Sequence, residues 1–191
     1  MTVASELSDV VIRRIRPDDG ATYRDLRLRA LTDAPLAFGT TLAEATARPR
    51  SWWDARVAAC SEGTTSALFV AETAAAAGAE AGSIGLAGAE RSDVAGEVEV
   101  ISMWVEPAVR GRGLGRRLLD AASAWASAQD AVALQLWVTE DNAPATRLYQ
   151  AYGFTFTGDA QAHPSQPGLR ELCMRCALPR YTRVGVTRYT S

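Results

Sequence analysis

Three observations predict an α/β domain (α+β by some schemes). A strand reads into a glycine-rich turn that opens a helix across Glu97 to Ala126. Strand-like and helix-like periodicities alternate on both sides of that stretch. At 191 residues, 48% of them apolar, the chain is long enough to bury most of its apolar surface in one core. One domain is expected over 1–178, with 179–191 as a tail that carries no readable pattern.

Val10 to Arg16 alternates apolar and basic residues as a first strand and stops at Pro17, with Asp18 as the expected cap of a helix. From Gly20 to Leu31, the residues Tyr23, Leu26, Leu28 and Leu31 form an apolar stripe, leaving Arg24, Arg27 and Arg29 as a solvated face. Asp33 to Arg50, with its prolines and Gly39, reads as a long connection before a short helix around Trp52 to Cys60. Ser66 to Glu72 and Ser83 to Glu90 are strands, joined across the alanine-rich Thr73 to Gly82, which is too short and glycine-bounded to pack as a helix. Ser92 to Gly96 turns the chain into the central strand.

That strand alternates Glu97, Glu99, Ile101, Met103 and Val105 with Val98, Val100, Ser102 and Trp104, and Pro107 ends it. Leu114, Leu118, Ala122 and Trp125 then recur at helical spacing. Val132, Leu134, Leu136 and Val138 form a strand expected to run parallel to the central one through a right-handed crossover. The next helix is capped by Asp141 or Asn142, takes Pro144 in its first turn and ends at Gly153. Phe154 to Gly158 and Arg170 to Leu178 complete an antiparallel edge. The polar loop between them carries His163, the one histidine of the chain, which is read as solvated.

The turn Arg110-Gly111-Arg112-Gly113-Leu114-Gly115 has three glycines in five positions at a helix start. Backbone N–H groups unobstructed by side chains, together with the helix dipole, suit a phosphate. Arg110, Arg112, Arg116 and Arg117 add charge. A dinucleotide fingerprint would need glycine where Arg116 stands, and a P-loop would need Gly-Lys-Ser/Thr, so neither fits.

Arg110-x-x-Gly113-x-Gly115, preceded by Met-Trp-Val-Glu-Pro and followed by an amphipathic helix, resembles the acetyl-CoA pyrophosphate loop of the GCN5-related N-acetyltransferases (the GNAT family). Asn142, Ala145, Leu148-Tyr149 and Gly153-Phe154 are similar to that family's second signature, in the same order along the chain. The resemblance spans Val10 to Leu178 by element order and Glu97 to Phe156 by residue pattern. It implies a GNAT-like mixed, mostly antiparallel twisted sheet flanked by helices, whose parallel central strand pair is splayed around acetyl-CoA. It also implies a contact of Met103 and Val105 with the pantetheine arm, and of Arg110, Gly111, Arg112, Gly113, Gly115, Arg116 and Asn142 with the coenzyme, Asn142 being a helix cap as well. Phe38, Trp52 and Trp53 would lie near the acceptor or simply pack in the core.

Acetyl transfer from a thioester to an amine needs a neutral nucleophile, a polarised carbonyl and a proton for the departing thiolate. Glu99, read as sharing a strand face with Met103 and Val105, matches a general-base position of some family members, and Tyr149 matches a general-acid position. The implied activity is acetyl-CoA-dependent N-acetylation of a small-molecule primary amine by direct attack in a ternary complex. A protein N-terminal or lysine acetyltransferase and a non-catalytic acyl-CoA-binding module stay open as alternatives. No metal is expected: Cys173 and Cys176 belong to one strand and point to opposite faces, and Cys60, the third cysteine, leaves an odd number. A net charge of −2 and a pI near 5.5 argue against nucleic acid. The absence of a long apolar run or a basic leader argues against a membrane and for the cytoplasm. A homodimer stays open.

Overall fold

A computed structural model describes residues 10–73 and 82–179. Within them the alternating segments form a seven-stranded sheet, built from β1 (Val10–Arg14), β2 (Ser66–Thr73), β3 (Ser83–Arg91), β4 (Glu97–Val105), β5 (Ala133–Thr139), β6 (Thr155–Ala162) and β7 (Arg170–Ala177). The spatial order is β1-β2-β3-β4-β5-β7-β6, antiparallel throughout except for β4 against β5. The alanine-rich hairpin connection and the tail expected from the sequence lie, at residues 74–81 and 180–191, outside the described residues.

Five α-helices cover the two faces of the sheet: α1 (Gly20–Asp33), α2 (Leu42–Ala47), α3 (Arg50–Glu62), α4 (Leu114–Ala128) and α5 (Ala143–Tyr152). Period-2 alternation sends neighbouring residues of β2 to different cores. Leu68 and Val70 pack with Leu26 and Leu31 of α1 and Trp53 and Val57 of α3. Ala67, Phe69 and Ala71 join Leu118, Leu119 and Trp125 of α4 on the other side. Burying a large aliphatic side chain contributes about 1.5–3 kcal/mol, so these two layers hold the helices in place.

Three local expectations are corrected. Asp19, not Asp18, precedes α1, and its carboxylate makes no cap bond; it accepts from Arg13 and from the Arg16 N–H at 2.7 Å. The long connection read after α1 holds two short elements: Pro35–Ala37 forms a 3₁₀ turn, and Thr41 and Glu44 close a capping box on α2. His163 is buried, 5% exposed, and its Nδ1 accepts from the Ser165 N–H at 3.2 Å. β6 runs past Gly158 to Ala162, and the loop after it is held against the connection after α1, where the Ser165 hydroxyl donates to the Phe38 carbonyl at 3.3 Å.

Candidate active site

β4 and β5 pair only at Glu97↔Ala133, Val98↔Leu134 and Glu99↔Gln135. Beyond Glu99 the strands part, leaving that edge of β4 without ladder bonds to β5. Buried backbone groups demand partners, so this open edge favours a ligand that offers extended amides.

A bulge re-aims β4 at the same point. Leu86 faces Trp104 while Gly88 faces Ile101, so β4 carries one extra residue, and Ser102 takes φ 55°. The bulge inverts the face of every residue after it. Val98 and Val100 pack on the α4 side, whereas Trp104 packs on the α1–α3 side. Met103 and Val105 therefore pack on the α4 side, and Glu99 lies on the opposite face from them, contrary to the shared face expected from simple alternation. The sequence gives little sign of the bulge beyond Ser102 in a run of apolar residues.

The glycine turn closes one end of the gap. Gly111 and Gly113 have φ 74° and 83°, where a side chain would be strained, and a Cβ at either would point into open space. Gly113 precedes α4, whose first closed turn is Arg117 N–H donating to the Gly113 carbonyl at 3.1 Å. The N–H groups before it have no acceptor inside the helix. Gly115 serves close packing instead: a Cβ there would meet Leu148 Cδ2 of α5 at 2.8 Å. Arg110 is held by the Asp33 carboxylate and by the Val105 carbonyl, at 2.9 Å from its Nε. Asp33 also accepts from the Trp104 indole at 2.9 Å, pinning the end of α1 to the end of β4. Arg116 lies over the Tyr152 ring at 5.3 Å, and Arg117 reaches the Val10 carbonyl.

Two cavities occupy the splay. One, about 490 Å³, is lined by every residue expected to touch the coenzyme except Arg112, which lies on the exposed rim of the turn. The other, about 430 Å³, lies toward α1, the connection after it and the β6–β7 loop. Ala37, Phe38, Met103, Asn142, Ala145 and Tyr149 line both, so the cavities meet there. Asn142 caps α5 by accepting from the Ala145 N–H at 3.2 Å, settling which of the two neighbours is the cap. Phe38 and Trp52 line the second cavity, while Trp53 is sealed in the core against Tyr23.

Glu99 faces the second cavity. Burial pushes its carboxyl above the ordinary glutamate value; a bond from Gln135 Nε2 at 3.4 Å opposes this in part, and Glu90, Glu171 and Asp93 add to the rise. Burial likewise pushes the Tyr149 phenol well above its ordinary value, so it stays protonated across the physiological range. Sequence reasoning missed Arg27, Gln135, Glu171 and Asp33. None belongs to a local motif, and each reaches the site from an element far away in the chain.

Comparison with known proteins places these features. The family model described as the acetyltransferase (GNAT) family matches residues 36–154. Mycothiol acetyltransferase of a Nocardioides species is 32% identical over 166 residues, or 78% of this chain, which spans 51% of that relative. An acetyltransferase of the GNAT family from Streptococcus pneumoniae superposes with a TM-score of 0.72 at 18% identity, covering 89% of this chain and 99% of that one. A Salmonella typhimurium protein solved with its cofactor acetyl-CoA superposes with a TM-score of 0.66 at 21% identity, covering 93% and 98%. These structural likenesses establish a shared fold; the splayed parallel pair that the resemblance implied is seen in the β4–β5 register itself.

Proposed function

The chain belongs to the acetyltransferase (GNAT) family, and from that premise we propose that it transfers an acetyl group from acetyl-CoA to the primary amine of a small molecule. The observation that supports this reading most is the meeting of two cavities at Tyr149, one rimmed by the glycine turn and the other holding Glu99.

The chain fits the coenzyme on three counts. Gly111 and Gly113 open the backbone toward the larger cleft, so the N–H groups at the start of α4 can bind a pyrophosphate. The unladdered edge of β4 at Met103 and Val105 suits the amides of pantetheine, as an added strand would. Arg116, exposed at the rim, supplies positive charge, while Arg110 serves to fix the turn through Asp33 and Arg112 remains a candidate contact at the mouth. When bound, acetyl-CoA supplies the thioester carbonyl.

The chemistry assigned to the chain's own groups is proton movement. Glu99, its affinity for a proton raised by burial, takes the proton of the acceptor ammonium directly or through water. The neutral nitrogen attacks the carbonyl carbon, the new C–N bond forms, the C–S bond breaks, the Tyr149 hydroxyl gives its proton to sulfur, and the nitrogen sheds its surplus proton to water as it becomes the amide. A buried phenolate is costly, so Tyr149 recovers a proton from solvent before the next turnover. Asn142 at the junction orients the reacting groups beside the α5 N-terminus.

A screen of free amines and of peptides with free N-termini and lysines, read as coenzyme A release, tests the proposal. Turnover confined to small amines supports it. Turnover confined to peptides, or acetyl-CoA binding without turnover on any acceptor, replaces it with a protein acetyltransferase or an acyl-CoA-binding module.

A further inference from the structure

The second cavity contains an unbalanced charge. Arg27 projects from α1 one turn beyond Tyr23, lines the cavity, and is 8% exposed. Its guanidinium lies over the Phe38 ring at 4.4 Å, and its Nη1 is buried with no hydrogen-bond partner. The one arginine felt at that point is Arg48, which lies over the Trp52 ring at 3.8 Å and repels the Arg27 charge. Among the described residues no carboxylate comes within 4.0 Å of either guanidinium. Arg56, the third arginine on this wall, is already paired with Glu90 at 3.1 Å. A buried charge without a counterion is among the costliest arrangements a fold can keep; Arg27 is one, and with the half-buried Arg48 on the same cavity wall it marks the place of a missing anion.

The carboxylates of the cavity do not supply it. Glu171 accepts from Gln161 at 2.9 Å and sits beside His163, and Glu99 is bound by Gln135. The cavity is thus polarised, with guanidinium groups on the α1 and α2–α3 wall and, on β4, the Glu99 carboxylate, which accepts from Gln135 and makes no ion pair among the described residues.

Resting on the proposed acetyl transfer, we infer that the acceptor is an amino acid or a close amino-acid derivative: its free carboxylate is bound by Arg27, with Arg48 beside it, while its amine is directed to Glu99. A planar guanidinium matches a carboxylate in shape as well as charge. The aromatic rings of Phe38 and Trp52 hold the two guanidinium groups and, as lining of the cavity, offer apolar surface to the rest of such an acceptor. A polyamine, by contrast, would bring a second ammonium against two arginines. A peptide N-terminus would offer a neutral amide where the carboxylate belongs.

The test uses binding, so that it does not depend on turnover. The full-length protein saturated with coenzyme A is titrated with the N-acetyl derivatives of the twenty amino acids, each beside its carboxamide, and with N-acetylspermidine, using calorimetry. At least one acid is expected to bind roughly tenfold or more tightly than its amide, the effect of losing a charge-assisted bond, and N-acetylspermidine to bind no better than the amides. In Arg27→Gln that preference collapses, with the amide affinity unchanged; in the more accessible Arg48→Gln, a variant less exposed to folding failure, it shrinks. Equal affinity of every acid for its amide, absence of binding by the whole panel, or a preference that survives Arg27→Gln overturns the inference. The reading on which it rests is decided separately by acetyl-CoA binding and by the amine screen, either of which can succeed when the carboxylate preference fails.

Discussion

The two cavities are built in opposite ways. The coenzyme side is made mostly of backbone: a turn with two positive-φ glycines, the start of α4 and an open strand edge, within Met103 to Arg116, faced by α5 and by Ala34, Ala37 and Phe38 of the connection after α1. The acceptor side is made of side chains, drawn from α1, the connection after it, α3, β4, β5 and the β6–β7 loop. Backbone dipoles are fixed by local sequence and cost little to keep ready. Charged side chains brought together from a distance must be desolvated, and the raised Glu99 and the unpartnered Arg27 are the marks of that cost. The first arrangement suits a ligand that never changes. The second can be altered one residue at a time to suit another acceptor.

The largest effect is expected where the two sides join. Tyr149→Phe removes a hydroxyl and keeps the ring that packs 5.8 Å from Phe154. The turnover number at saturating acetyl-CoA should fall by about 10²-fold, with coenzyme affinity almost constant, as for an interaction made only in the transition state. Equal rates in equally stable proteins would return Tyr149 to the core as a packing residue and leave water as the proton source.

A smaller effect should break the coenzyme side alone. Gly113→Val forces a branched side chain onto φ 83° and places it where the backbone opens to the cleft. Acetyl-CoA affinity is expected to fall tenfold or more, and the stabilisation that saturating acetyl-CoA gives the wild type, read as a rise in melting temperature, to disappear. Strain also lowers the ligand-free melting temperature, so the comparison is between shifts, not between absolute values. A full ligand-induced shift in the folded variant would remove the phosphate role from this turn.

The same contrast explains what the sequence revealed. Glycine spacing, the Asn142 cap and the stripe Leu114-Leu118-Ala122-Trp125 are local, and the turn, α4 and α5 stand where these residues put them. The order of elements and the parallel pair follow from period and connection length. The bulge at Ser102 was not legible, because apolar residues continue on both sides of it while the core they serve changes from one face to the other. Arg27 was read as one arginine of a solvated face. It is buried because Phe38, folded back by the 3₁₀ turn, covers it, and no pattern within α1 encodes that contact. His163 was misjudged for the same reason, since the polar loop around it is held against Phe38 through Ser165.

The smallest effect expected, and the most specific to the acceptor side, is in the pH dependence of stability on removing the Glu99 charge. Burial raises the folded Glu99 above the ordinary value of 4.5, so the folded protein binds this proton more tightly than the unfolded chain does. Below that ordinary value both states are protonated and the group is neutral to stability. As pH rises toward the folded value the unfolded chain gains from ionising first, and above it the whole penalty is present. Glu99→Gln removes the penalty, so the variant should melt higher than wild type at neutral pH, with the difference shrinking to nothing as pH falls below about 4.5. Glu90, Glu171 and Asp93, which push Glu99 upward, are relieved in the same step and add to the gain. Turnover moves the other way, falling most above the folded Glu99 value and below that of the acceptor ammonium, where the amine arrives protonated and the wild-type carboxylate is free to take its proton. Melting curves of both proteins across this range decide the matter. A wild type that is the more stable at neutral pH, or a difference that does not change with pH, would mean that Glu99 is adequately solvated and that the acceptor side stores no such cost there.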